Sequence, residues 1–263
     1  MSLDFGAGYT TGDGNLFTGS GTVAITGLEF SETAIGANFS ATFNNIAVYG
    51  VTYLTGTVSG GISITQPAEG DMALSGSIAF EGFQWNGNAF SGSINLSGTL
   101  QGLDLESPSG TITVTFTDFA MGEDRISGSV SLTLGSESDP GSFVVSFSNF
   151  RLNDFTFSSG TVTASPAGED RWAVDMNVTT SDGPFDMVVF LTLGDTAFIL
   201  DTEEEGTMGP YRVNINDVTI PSDWETVPAS GTMTFTEDGK TGTLDFNGKY
   251  LSDDPPYEYS ESP

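Results

Sequence analysis

Cysteine and histidine are both missing from the 263 residues. Their absence rules out disulfides, thiolate nucleophiles and Cys/His metal centres. It also rules out Ser-His-Asp and Cys-His catalysis. Positive charge is scarce: six Lys and Arg face 35 Asp and Glu, a net charge of −29. Nucleic-acid affinity comes largely from Lys and Arg displacing counterions, so DNA, RNA and anionic headgroups are repelled. No cofactor is expected, although the same field would attract Ca²⁺ or a cationic partner. The plainer role of the acids is to keep a β-rich surface soluble and its edges unpaired. No apolar run approaches the roughly 18–20 residues of a transmembrane helix, and no amphipathic helix is legible. No leader precedes Asp4, and the expectation is that a native signal peptide has been removed.

What the chain does contain is 37% apolar residues, 20 of them Phe, set in strict alternation. Leu74, Gly76, Ile78 and Phe80 share one parity, while Ser75, Ser77 and Ala79 take the other. Ile112, Val114 and Phe116 repeat the pattern against Thr111, Thr113 and Thr115, as do Phe143, Val145 and Phe147 on the later segment. A period of two marks strands with one buried face.

Two motifs recur. A [Ser/Thr]-Gly-[Ser/Thr]-apolar tetrapeptide stands at 20–23, 55–58, 75–78, 91–94, 97–100, 109–112, 127–130, 159–162, 230–233 and 241–244. The second motif is apolar, any residue, Asn/Asp/Gly, apolar. It opens at Phe43, Phe80, Phe116 and Phe147, in steps of 37, 36 and 31 residues. A degenerate copy opens at Ile25 and a late one at Ile215. Steps of this size signal a repeated supersecondary unit. Phe80 and Phe83 have opposite parity yet both read as core-facing, and the residue type between them tolerates positive φ. One extra residue in the strand reconciles the two, which predicts a β-bulge in each copy. Turn dipeptides follow at Tyr49-Gly50, Asn86-Gly87, Gly122-Glu123 and Asn153-Asp154. Gly92, Gly128 and Gly160 share the parity of core residues, so each is expected to leave an inward gap that a cross-strand Phe covers. Longer acidic connections at 66–71, 106–110, 135–141 and 165–170 close the opposite ends.

The fold class that follows is all-β: repeated antiparallel hairpins forming an up-and-down meander that curls into a barrel-like or two-layer structure. It is expected to form one elongated domain over 1–252, with hairpin repeats at about 17–165, irregular strands at 171–200, a late repeat at 211–250 and a disordered acidic, Pro-containing tail at 253–263. A transmembrane β-barrel shares the alternation, but aromatic girdles and a final apolar strand are missing.

Carboxylates are the only catalytic groups left, as in glycoside hydrolysis. Pairing Met176 with Phe185 would set Asp175 opposite Asp186, a repulsion that a cation or a proton would relieve; these two acids are the candidate metal ligands. Asp13-Gly14-Asn15 matches a fragment of a Ca²⁺ loop without its distal Glu. The run from Glu203 to Glu205 reads as a solvated loop. Trp85, Trp172, Trp224, Tyr49 and Tyr53 are sugar-stacking candidates, although Trp85 and Trp172 carry core parity and are expected to be buried. The Thr rows also suggest an ice-binding face, but Thr is common on the solvated side of a strand.

By elimination the chain reads as a non-enzymatic, extracytoplasmic surface or adhesion-type β-repeat protein, its partner a protein, a glycan or an apolar ligand. The alternatives are a carrier holding an apolar ligand or lipid in a Phe-lined cavity, and a carboxylate-based glycan-binding or glycan-cleaving protein. Its Ser/Thr/Gly-rich, Lys-poor composition underlies the extracytoplasmic assignment.

Overall fold

The computed structural model describes residues 2–4, 9–10, 16–66, 71–101, 109–135 and 141–262. The described residues contain nineteen strands and no helix, joined as antiparallel hairpins in an up-and-down meander. The all-β hairpin architecture expected from the alternation is therefore the one observed. The chain divides into two compact units, one of Met1–Thr133 with Asn149–Asp154, the other of Leu134–Ser148 with Phe155–Pro263.

The first unit contains β1 (Ser2–Asp4), β2 (Tyr9–Thr10), β3 (Leu16–Phe30), β4 (Ala34–Val48), β5 (Val51–Thr65), β6 (Met72–Trp85), β7 (Asn88–Gln101), β8 (Ser109–Met121), β9 (Asp124–Leu134) and the end of β10 (Phe143–Leu152). Directly paired residues share a sheet face, so the register shows both surfaces. One row reads Ile25, Phe39, Gly60, Ile78, Ile94, Phe116 across β3 to β8. The adjacent row on the other face reads Thr26, Asn38, Gly61, Ser77, Asn95, Thr115. One face is thus apolar and the other is a field of short hydroxyl and amide side chains. On that polar face Thr111 bonds Thr133 at 3.0 Å and Thr113 bonds Ser131 at 2.8 Å.

The predicted bulges are present. The third residue of each motif copy, Gly27, Asn45, Gly82, Asp118, Asn149 and Asp217, has φ between 46° and 61°. The register shifts at Phe80/Phe83, Phe43/Ile46 and Asn216/Thr219. Phe80 and Phe83 then share a face, with rings 5.9 Å apart.

The inward glycines have a different cause from the one expected. A Cβ on Gly92 would collide with the carbonyl oxygen of Asp118, and one on Gly128 with that of Asn149, in both cases the bulge residue of the neighbouring strand. These glycines also sit at φ 78° and 85°. The neighbouring backbone, and not a Phe ring, fills the space. Each Ser-Gly motif of this kind is therefore the socket for the next strand's bulge. The hairpin tips at Tyr49-Gly50 and Asn86-Gly87 have positive φ at both residues, the type I′ geometry that suits strand twist.

The second unit contains the start of β10, β11 (Phe155–Pro166), β12 (Arg171–Thr180), β13 (Gly183–Leu193), β14 (Ala197–Asp201), β15 (Gly206–Met208), β16 (Tyr211–Pro221), β17 (Ser230–Glu237), β18 (Lys240–Asp245) and β19 (Glu258–Ser262). β14 and β15 are two halves of one interrupted strand, since each pairs with both β13 and β16. Thr202 bridges the break: its hydroxyl accepts from the Ile215 amide at 2.9 Å and donates to the Ile215 carbonyl at 3.3 Å. Around this break lies a core of Met187, Val189, Val213, Ile215 and Val218, with Val213 completely buried. The tail expected to be disordered instead supplies β19, paired with β18. Lys249 donates to Glu258 at 2.7 Å, and that bond raises the pKa of its ammonium group.

Candidate functional site

The structure corrects the register around Asp175 and Asp186. The loop between β12 and β13 is only Ser181-Asp182, closed by the Thr180–Gly183 pair, so Met176 pairs with Met187 rather than Phe185. Asp175 then faces Val188 and Asp186 faces Asn177, and the two carboxylates are not directly opposed. Among the described residues no three Asp or Glu side chains gather as a metal-holding group. Asp13-Gly14-Asn15 lies outside the described residues, as do most of the connections at 66–71, 106–110 and 135–141. In the acidic loop Glu203 pairs with Arg171 at 3.0 Å and Glu205 with Arg212 at 2.7 Å. Arg171 also lies 3.9 Å from the centre of the Phe190 ring.

Arg125 and Arg151, the cations of the first unit, lie together in a groove of about 820 Å³ with Asp118, Glu123, Asp124 and Asp154. Both guanidinium groups serve the hairpin tips. Arg125 donates to the carbonyls of Gly122 and Asp124 at 2.8 and 3.0 Å. Arg151 donates to the Asn153 carbonyl at 2.5 Å and pairs with Asp154 at 3.5 Å. The acids outnumber the arginines, so the groove has no anion-binding character.

A different chemistry occupies the tight-turn end of β5 to β8. Tyr53, Trp85, Phe90 and Met121, one from each of four neighbouring strands, line a depression of about 440 Å³ with Asn86 and Asn88. Its floor is rigid. Phe90 packs against Phe80 and Phe83 at 5.6 and 5.5 Å, part of a ladder of rings running from Phe43 to Phe150 along the apolar face. Cross-tip bonds fix the frame: the Asn86 amide donates to the Tyr53 carbonyl and the Gly122 amide to the Ala89 carbonyl, both at 2.8 Å. Trp85 was expected in the core but is 61% exposed. Its parity matches Phe83, yet it stands where the ladder ends, and among the described residues no ring pair includes it. Trp172 is half-buried, 6.0 Å from the Phe143 ring, and Trp224 is exposed.

A second aromatic groove, of about 740 Å³ in the other unit, sets Tyr211, Phe235, Tyr257 and Tyr259 beside Glu237, Lys240 and Glu261. It depends on β19, which sequence reasoning discounted because of the Pro and acid content of the tail. Comparison with family models, with curated proteins and with solved structures gives no match for this chain.

Proposed function

We propose that the chain is a non-enzymatic, extracytoplasmic interaction protein of the surface or adhesion type. The observation that supports this reading is the uncovered apolar face of β3 to β5. Ile25 pairs with Phe39, Phe30 with Ile35 and Ala37 with Ile62, and all of these apart from Ala37 are exposed large apolar side chains. Ile35, Ala37, Phe39 and Ile62 lie in a stretch, 33–66, with no charged residue, while Glu29 and Glu32 flank Phe30, in a chain of net charge −29. Contiguous exposed apolar surface marks interaction sites in soluble proteins. A patch with few charges is where a partner approaches an acidic molecule with the least repulsion. The carrier alternative loses part of its support, because the space near Gly92, Gly128 and Gly160 is taken by neighbouring backbone.

Surface plasmon resonance of the full chain over immobilised extracellular proteins and polysaccharides tests the reading. Saturable binding is expected, weakened about tenfold or more by Phe30→Ser with Ile35→Ser, the scale of losing two apolar anchors. Cell fractionation is expected to place the protein outside the cytoplasm. Retention on none of these surfaces, or a cytoplasmic location, would refute it.

A further inference from the structure

We propose that the Tyr53–Trp85–Phe90–Met121 depression is a binding platform for a neutral glycan. The inference rests on the surface-interaction reading above and supplies a ligand class at a separate place on the first unit.

The first argument is exposure against rigidity. Leaving a Trp ring 61% exposed forgoes hydrophobic stabilisation. Here the ring is nevertheless held on a two-residue type I′ hairpin and next to Phe90, which is itself fixed by Phe80 and Phe83. The backbone that carries the ring is fixed and a Trp side chain has only two χ angles, so binding costs it little side-chain entropy.

The second argument is charge. No ionisable side chain other than the Tyr53 phenol lines the depression. The groove around Arg125 holds four carboxylates, the one around Glu203 holds three more beside Asp186, and the tyrosine groove holds two. A cationic ligand would be drawn to those grooves instead. An anionic ligand would be repelled by the net charge of −29. Stacked nucleobases need a basic track along the backbone, and the two cations of the first unit are engaged at other hairpin tips. A neutral ligand remains.

The third argument is the combination of flat apolar surface and amides. Asn86 and Asn88 border the rings. Each side-chain amide offers two donors and an acceptor, the complement of hydroxyl pairs on a sugar ring, while the C–H face of a pyranose covers an aromatic ring. A lipid chain would leave those amides without partners.

The test uses the full chain with cellohexaose, xylohexaose, mannohexaose and chitohexaose as probes, followed by titration calorimetry and by quenching of Trp fluorescence. Binding of at least one hexaose is expected. Trp85→Ala is expected to weaken it about tenfold or more, the scale of one lost stacking contact, and Trp85→Phe to keep most of it. Asn88→Ala is expected to weaken it less. Far-UV circular dichroism of each variant confirms the fold, and the Phe variant keeps the test valid if the Ala variant unfolds. Absence of binding to all four hexaoses would overturn the proposal, as would binding indifferent to Trp85. Saturable binding of a dodecyl-chain probe at Trp85 with no hexaose bound would also overturn it and reassign the platform to apolar partners. Surface retention lost in the Phe30/Ile35 variant, with none of the four hexaoses bound by the unaltered chain, would leave the surface-interaction reading standing while the glycan proposal fails.

Discussion

In the first unit apolar side chains are held mainly by neighbours in the same sheet; in the second they are covered. Among the described residues the buried apolar side chains of the first unit are Ala47, Phe83 and Ala120, whereas the second buries Val178, Met187, Val189, Val213, Ile215 and Val218, among others. The sequence alternation is equally clean in both. The difference shows that alternation specifies a strand with two unlike faces but does not specify what lies over the apolar one. In the first unit cohesion comes from ladders: ring against ring along the Phe row, hydroxyl against hydroxyl on the other face, and bulge against glycine in the backbone. In the second, an interrupted strand and the Thr202 bridge allow a compact cluster to form around Val213.

Matched substitutions give the largest expected contrast. Val213→Asp buries an unpaired charge and is expected to cost more than about 4 kcal/mol, removing the cooperative unfolding of the second unit. Val114→Asp, at a half-buried position of β8 where the carboxylate reaches water, is expected to cost about 1–2 kcal/mol. Urea midpoints measure both, and equal costs would break the contrast between the units.

Glycine substitutions ask whether the first unit relies on its backbone device. Gly128→Ala places a methyl against the Asn149 carbonyl at φ 85° and is expected to destabilise by about 2–4 kcal/mol. Gly50→Ala has a similar φ of 77° but open space around it, and about 1 kcal/mol is expected from backbone strain alone. A Gly128→Ala variant as stable as Gly50→Ala would mean that the bulge sockets are incidental.

The smallest effects concern hydroxyl groups. Thr202→Val removes a buried hydroxyl that serves both backbone groups of Ile215, an expected loss of about 1–3 kcal/mol. Thr113→Val breaks a side-chain pair with Ser131 in the open hydroxyl field, and less than about 0.5–1 kcal/mol is expected. Thermal unfolding of both variants would show whether the hydroxyl field is structural or simply solvated.

Particular residues show how far the sequence was legible. Phe80 and Phe83, at odd spacing around a Gly, revealed the bulge before any coordinates, because a parity slip in an apolar run has few other solutions. The glycine that receives the bulge was visible as a motif, but its reason was not. The carbonyl it accommodates belongs to a strand some 20 or more residues away, at Asn149 for Gly128. Asp175 and Asp186 were misregistered by two residues: pairing Met176 with Phe185 centres the turn on Thr180-Ser181, whereas the turn is Ser181-Asp182, fastened by the Thr180 side-chain bonds to Gly183 and Asp182. Trp85 carried the parity of the core and still lies outside it, because parity fixes a face and not where the covering rings stop.

By itself the sequence determined the all-β hairpin meander, the two unlike faces, the positions of the bulges and tight turns, and the exclusion of thiol and imidazole chemistry. These follow from local stereochemistry and from which side-chain groups exist. Tertiary structure alone decided which apolar faces are covered, that 258–262 forms an edge strand, and that four strands bring Tyr53, Trp85, Phe90 and Met121 to one place. Each of these depends on contacts between segments distant in the chain, and a period-two pattern carries no information about them.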